Sequence, residues 1–447
     1  MNQPKHIAII GAGFTGLAAA RDLARAGNRV TVYEADPFVG GLAGAFTPHG
    51  ESDRLDRFYH HWFTSDRDIM ALIDELGLGD AVSMEPSLTG VWFANQTFRL
   101  STPLDLLRFP ALSFPDRLRL GWLALKARRV RDWRALEGLS AEEWLRDLGG
   151  DRVYRVMWQP LLEGKFGAYA SRISAVWMWN KLKLRGGSRG KGGAEHLGYM
   201  RGSFARVSEA MADDIRAHGG TLHLSTPVRR LTPLPGDRWQ IETVQGGHDQ
   251  AGTTPEQADA VIATPAPALL ADMIAHWATQ DTLAGLRRID YLANLCLVLE
   301  LDRSLGETYW LNVNDPEFPF VGVIEHTNFQ STAQYGGRHI VYLSRYLDAQ
   351  DPLYALSDDA VRDFAVPHLK RMFPAFSPDW IKRHHVWRAR WAQPVVERHY
   401  SAMIPPQDGP APGLFLCSMA QIYPEDRGTN YAVRAGRALA ARLLDTQ

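Results

Sequence analysis

The chain has 447 residues, 45% of them hydrophobic and 22% charged, with a formal net charge of −1. This ordinary globular composition supplies enough apolar matter for a large core and enough length for about three domains. A charge so near zero excludes attraction of nucleic acid by the molecule as a whole. The two cysteines, Cys296 and Cys417, fall outside any C-x-x-C pair, so no metal site is expected.

The chain opens with an apolar run, Ile7–Ile10, that predicts a buried parallel strand. Gly11, Gly13 and Gly16 follow at once, with Phe14 and Thr15 between them. Leu17, Ala18, Ala20, Leu23 and Ala24 then recur at helical spacing until Gly27 and Asn28 close the helix. A second strand, Val30–Tyr33, ends at Glu34. Each part has a physical role at a dinucleotide. Gly11 allows the tight turn, Gly13 lets a pyrophosphate approach the backbone, and Gly16 lets helix and sheet pack closely. The helix N-terminus offers free N–H groups to the phosphates, and a carboxylate at Glu34 can accept from ribose hydroxyls.

The next residues, Ala35-Asp36-Pro37-Phe38-Val39-Gly40-Gly41-Leu42, follow that unit directly. In this position they resemble the FAD-binding segment of the amine-oxidase and protoporphyrinogen-oxidase-like flavoproteins, relatives of the phytoene desaturases and of UDP-galactopyranose mutase. The resemblance implies FAD rather than NAD, with Ala35, Gly40, Gly41 and Leu42 against the cofactor. Where that family often carries arginine near the glycine pair, this chain has Asp36 and Ala43.

Tyr59-His60-His61-Trp62-Phe63 comes next. Adjacent histidines point to opposite faces of a strand, so they do not form a metal pair. The stretch resembles the mutase segment whose histidine lies by the flavin, which makes His61 either a flavin neighbour or a hydrogen-bonded structural residue. Ile69 to Leu78 predicts an amphipathic helix, and Val91–Leu100 a strand. A helical region follows, its pieces separated by Pro110 and Pro115, with a capping box at Ser140 and Glu143. Its middle helix interleaves Arg117, Arg119, Lys126, Arg128 and Arg129 with Leu118, Leu120, Trp122, Leu123 and Leu125. That mixture fits a solvated helix or one lying on a membrane surface, as in some of the resembled enzymes.

Trp158, Pro160, Leu161, Phe166 and Gly167 resemble the family's helical substrate-domain motif. Glycines at 186, 187, 190, 192 and 193 predict a basic loop, in which Arg185, Arg189 and Lys191 are candidates to clamp a substrate phosphate or carboxylate. Gly202–Ile215 predicts a helix. Val228 matches the family valine that holds adenine through its backbone, and Ala258–Pro265 matches a strand that brings Thr264 to the cofactor. Residues 291–394 predict a mixed domain, where Trp387, Trp391 and Pro394 resemble the family's aromatic segment near the flavin. Gly413–Leu416 matches the family's last strand, but Ser418-Met419 replaces its usual Gly-Asp pair, leaving Glu425 or Asp426 as substitutes. Thr429, Asn430 and Tyr431 open a final helix whose N-terminus would face the flavin.

The expected fold is therefore α/β. A Rossmann-like, doubly wound, discontinuous FAD-binding domain (1–90, 200–290 and 395–447) carries an inserted α+β substrate domain (91–199 and 291–394). The expected activity is FAD-dependent oxidation by hydride transfer from a small, isoprenoid or anionic metabolite, with non-covalent FAD. His61, Trp391 and Tyr423 are catalytic candidates, and Met419 is a further cofactor contact. The alternative is a mutase-like isomerisation of a sugar nucleotide on reduced flavin without net redox; a scaffold without turnover is the third. Partners are expected to be small molecules, phosphate-bearing or lipidic, and no nucleic acid. The direct entry into the first strand and the lack of a long apolar run predict a cytoplasmic protein, peripheral at most to the inner face of the membrane.

Overall fold

The computed structural model describes residues 4–50, 52–100, 102–187, 195–244 and 255–446. The opening apolar run forms β1 (His6–Ile10), which passes through the glycine turn into α1 (Phe14–Arg25) and returns as β2 (Arg29–Tyr33). A helical stretch follows: α2 (Phe114–Arg129), α3 (Ala141–Gly149), α4 (Gln159–Phe166) and α5 (Ala175–Gly187). Then come β3 (Thr221–His223), β4 (Ala260–Ala263), and the long strands β5 (Tyr291–Leu301), β6 (His339–Leu347) and β7 (Ile381–Pro394). The chain closes with β8 (Leu414–Leu416) and α6 (Thr429–Asp445).

Five strands form a parallel sheet in the order β3-β2-β1-β4-β8. From β1 the order runs one way through β2 to β3 and the other way through β4 to β8. The C-terminal edge between β1 and β4 is thus the point where winding reverses and a ligand crevice opens. Alternate residues explain why both faces are covered. Ile7, Ile9, Val30 and Val32 pack towards α1, the Ala205–Ala217 helix and α6, while Ala8, Ile10, Val261 and Ala263 face a second core with Trp239 and Leu270.

A seven-stranded sheet stands beside it, in the order β7-β5-β6, then Gly322–Glu325, Trp310–Val313, Thr89–Phe93 and Gln96–Arg99. The helices α2 to α5 form a separate layer around Leu123, Trp144, Leu162, Phe166 and Trp177. The predicted capping box starts α3: Ser140 Oγ accepts from the Glu143 N–H (3.1 Å) and Glu143 Oε2 from the Ser140 N–H (2.7 Å). The molecule is α/β, as expected, and its parallel sheet draws strands from three separate stretches of sequence.

Two local expectations change. Residues 91–100 are not one strand but most of a hairpin, turned at Ala94 and Asn95, whose φ angles are 51° and 56°. A two-residue turn with both angles positive matches strand twist, and without a glycine the sequence carried no clear mark of it. The basic stretch at 181–187 is not loop but the end of α5, so Lys181 is held on a helix.

One buried acid makes stability sensitive to pH. Glu325 Oε2 accepts from the N–H groups of Leu305 (3.1 Å) and Gly306 (3.2 Å), while Oε1 has no hydrogen bond and lies 3.4 Å from His339 Nδ1. Burial lowers the pKa of His339, which weakens the ring as a counter-charge, and burial pushes the Glu325 carboxyl up to about 7. Its contribution to stability is therefore complete below the ordinary glutamate range and is lost as pH rises through about 7. Glu325→Gln should raise the melting temperature at pH 8 and leave it nearly unchanged at pH 4, as measured by calorimetry.

Candidate active site

The crevice at the end of β1 is built by backbone approach. Gly11 has φ +99°, and a Cβ there would lie 2.5 Å from Thr264 Oγ1; a Cβ on Gly16 would lie 2.1 Å from the Gly11 carbonyl oxygen. Beside Gly13, by contrast, nothing lies within 4 Å of a Cβ position. Gly13 caps α1, so the first-turn N–H groups at Phe14, Thr15 and Gly16 open onto this free space. The second glycine pair closes in from the side. Gly40 (φ +108°) donates its N–H to Ala12 O at 2.8 Å, and a Cβ on Gly41 would lie 3.4 Å from Gly13 Cα. Leu42 follows in the same turn.

Glu34 stands at the end of β2. Its Oε2 accepts from the Ala12 N–H (2.7 Å) and its Oε1 from the Asp36 N–H (2.9 Å), across Ala35. Burial raises its pKa against the pull of these bonds. A carboxylate has about four acceptor positions, so two remain for ribose hydroxyls. Thr264 donates to Ile10 O (2.8 Å) and braces the glycine turn. Val228 is buried at the start of its strand, where a register shift separates it from Arg230.

Arg57 was not singled out from sequence. It follows the Leu55–Asp56 strand, which pairs with Ala45–Phe46 just beyond the glycine pair. Its N–H donates to Gly44 O (3.0 Å), and its guanidinium lies 3.6 Å from the ring centre of Phe38 and 4.4 Å from that of Trp387. The cation missing at Asp36 and Ala43 thus arrives by strand pairing, which no local spacing reveals. Two buried polar atoms here, Arg57 Nε and Trp387 Nε1, have no hydrogen-bond partner among the described residues. A heterocycle rich in carbonyl and ring-nitrogen groups suits such atoms. The open glycine cradle, the terminal acid and these unpartnered groups together fit FAD.

The remaining candidates take varied positions. His61 Nδ1 is 3.3 Å from the Tyr309 hydroxyl, and its ring meets Trp310 edge-on. Trp391 packs edge-on against Tyr291 (5.3 Å). Tyr423 donates to Glu137 Oε1 (2.9 Å) and packs on Trp133, which places it in the helical layer. Ser418 begins a tight turn through Met419, with Ser418 Oγ accepting from the Ala420 N–H (3.2 Å) and Gln421 Oε1 from the Ser418 N–H (2.8 Å). That capping box occupies the place of the family's Gly-Asp pair. Of the two nearby acids, Glu425 pairs with Arg434 (2.8 Å) and Asp426 with Lys181.

At the start of α6, Thr429 Oγ1 accepts from Trp62 Nε1 (2.9 Å), and Asn430 Oδ1 accepts from the Ile69 N–H (3.1 Å). These side chains tie the helix to the 62–69 segment, and the Tyr431 ring packs under Arg434. Arg185 lies on α5, with its side chain outside the described residues, as are Arg189 and Lys191 entirely.

A parallel sheet with this cradle, set against a mixed sheet and a helical layer, defines a two-part flavoprotein. The chain belongs to the flavin containing amine oxidoreductase family, whose model matches residues 14–444. The family is one of flavin-containing oxidoreductases, so a flavin is the cofactor that membership implies. The probable zeta-carotene desaturase of Synechococcus elongatus is 29% identical over 251 residues, 50% of this chain and 51% of that protein. The 15-cis-phytoene desaturase of Glycine max is 23% identical over 398 residues, 83% of this chain and 66% of that protein. The chain thus spans about half the length of the first relative and about two thirds of the second. In fold it is similar to reduced UDP-galactopyranose mutase (TM-score 0.76, 15% identity, 100% of this chain and 96% of that one). It is likewise similar to cyclohexylamine oxidase from Brevibacterium oxydans (TM-score 0.73, 17% identity, 99% of both chains).

Glu34→Gln tests the cradle. The amide keeps one acceptor and loses the charge, so FAD affinity should fall by about tenfold or more, the cost of a charge-assisted hydrogen bond. Flavin fluorescence titration reads this, with circular dichroism unchanged.

Proposed function

We propose that the chain oxidises a C–H bond in a substrate with a largely apolar, isoprenoid-like body, using non-covalent FAD. The observation that carries this reading is a run of aromatic side chains on β5, β7 and the stretch after Arg57: Trp387 beside the Arg57 guanidinium, Tyr291 edge-on to Trp391, and Tyr59 edge-on to Trp310. FAD, when bound, accepts a hydride at N5. The chain's own residues orient the donor bond, exclude water and order the cofactor. Arg57, pinned between Phe38 and Trp387, would sit where charge on the cofactor needs balance, and the Trp391–Tyr291 pair would bound the reacting end of the site. Two relatives named as carotenoid desaturases support an apolar substrate. Isomerisation of a sugar nucleotide on reduced flavin is the competing reading. Anaerobic mixing of the FAD-loaded protein with candidate isoprenoids should bleach the flavin's visible absorption, and an acceptor should restore it. Turnover with no change in flavin redox state would favour the isomerase.

A peripheral position on an anionic membrane fits this substrate class. Ten large hydrophobic side chains are exposed among the described residues, and six of them lie on Pro103–Arg108 and α2: Leu104, Leu107, Phe114, Leu118, Trp122 and Leu125. On α2 the stripe Leu120, Leu123 and Ala127 turns inward, while Phe114 (63% exposed), Leu118 (53%), Trp122 and Leu125 turn outward. Arg108, Lys126, Arg129 and Arg131 lie exposed beside this face, with the Lys126 ammonium 5.0 Å from the Trp122 ring centre. An apolar face with a basic rim suits insertion among anionic headgroups. No helix among the described residues is long and apolar enough to cross a membrane. The protein should sediment with phosphatidylglycerol vesicles and not with phosphatidylcholine vesicles. Leu118→Glu together with Trp122→Glu should abolish this while FAD content stays the same.

A further inference from the structure

Deep between α4, α5, β6 and the loop before α6 lies a cluster of three cations around one carboxylate. Lys181 forms an ion pair with Asp426. Arg427 donates from Nε to Gln393 Oε1 (2.9 Å) and from Nη2 to the Tyr346 hydroxyl (2.8 Å), both neutral acceptors. Asp426 is buried and also receives the Gln393 amide at 3.5 Å. Burial alone would raise its pKa, but Lys181, Lys165 and Arg427 together hold it well below the usual carboxylate range.

Lys165, at the end of α4, is the member left over. Its ammonium makes no hydrogen bond or ion pair among the described residues. Its neighbours are ring faces, with centres 5.0 Å away for Trp177, 5.0 Å for Tyr346 and 5.6 Å for Phe166. Burial pulls its pKa well down, against the attraction of Asp426. Lys165, Arg427, Tyr59 and His60 are each half-buried rather than sealed from solvent. Asp426 is the acid facing all three cations, and it is already engaged by Lys181. A lysine whose charged form burial disfavours, and whose nitrogen meets ring faces and no acceptor among the described residues, gains its charge back when an anion sits beside it.

We infer that Lys165 and Arg427 form the receptor for an anionic oxygen group, carboxylate or phosphate, carried by the substrate into the aromatic site. This rests on the proposed oxidation of an apolar body and adds its polar end. The dinucleotide phosphates have their own place at α1, so they do not supply this anion. Lysine offers three rotatable donors to a single oxygen group, and Tyr346 and Trp177 pack against the apolar carbon behind it. Of the basic residues expected from sequence for this role, the Arg185 side chain, Arg189 and Lys191 lie outside the described residues.

The test titrates FAD-loaded protein with benzoate, phenyl phosphate and the neutral isostere benzamide, read by flavin absorption and by calorimetry. Saturable binding of benzoate or phenyl phosphate, with none of benzamide, is expected; which anion binds tighter separates carboxylate from phosphate. Lys165→Met should weaken anion binding by about tenfold or more with FAD content unchanged, and Lys165→Arg should retain it. Equal binding of benzoate and benzamide, unchanged binding in Lys165→Met, or loss of FAD from that variant would each overturn the assignment. If Lys165→Met does not fold, Lys165→Gln and wild-type discrimination between benzoate and benzamide decide the matter. Calorimetry reads the anion without the flavin, so failure to take up FAD would count against the proposed oxidation, while the anion site would be judged on its own heat.

Discussion

The contact on which the site depends is one of backbone with backbone. The Gly11–Gly16 turn and the Gly40–Gly41 turn meet so closely that the Gly40 N–H reaches the Ala12 carbonyl at 2.8 Å. A Cβ on Gly11, Gly16 or Gly40 would clash, whereas beside Gly13, in front of the first turn of α1, nothing lies within 4 Å of a Cβ position. Close packing thus does more than satisfy sterics. It brings the free N–H groups of a helix and an acid, Glu34, to the same end of β1, the arrangement a dinucleotide needs.

A second buried acid joins this cradle to the substrate side. Asp56 accepts from the Tyr199 hydroxyl (2.8 Å), Ser203 Oγ (2.6 Å) and the Phe204 N–H (3.0 Å), and its carbonyl accepts from the Tyr342 hydroxyl on β6 (2.7 Å). Burial pushes its carboxyl up to about 6 against those hydrogen bonds. The next residue is Arg57. One strand therefore anchors on the mixed sheet and delivers a cation to the glycine pair, which couples the two halves of the site through two consecutive residues. Tyr59 and His60 continue the same stretch to within the field of Arg427.

The sequence was most readable where function needs local backbone geometry. The glycine spacing, the acid at Glu34, the capping box at Ser140 and the return of later strands beside β1 are all encoded in contiguous residues. Elements that depend on distant partners were not legible. Arg57 needs the pairing of Leu55–Asp56 with Ala45–Phe46 to reach the glycines. Lys165 and Asp426 come together from positions separated by most of the substrate half, and only the packing of α4 and α5 shows that one ammonium has no partner. The alternation on α2 was visible, but which of its two apolar stripes is buried depends on what the helix packs against. Ser418 read as a departure from the family, and its capping box explains how that turn holds without the usual aspartate.

The most direct measurement is a crystal structure of the protein with FAD. The account predicts the pyrophosphate beside Gly13, within hydrogen-bond reach of the first-turn N–H groups of α1, ribose hydroxyls on Glu34, and the flavin ring among Arg57, Trp387 and Tyr291. A pyrophosphate bound anywhere else, or a crevice at Gly13 that stays closed with the cofactor present, would contradict it.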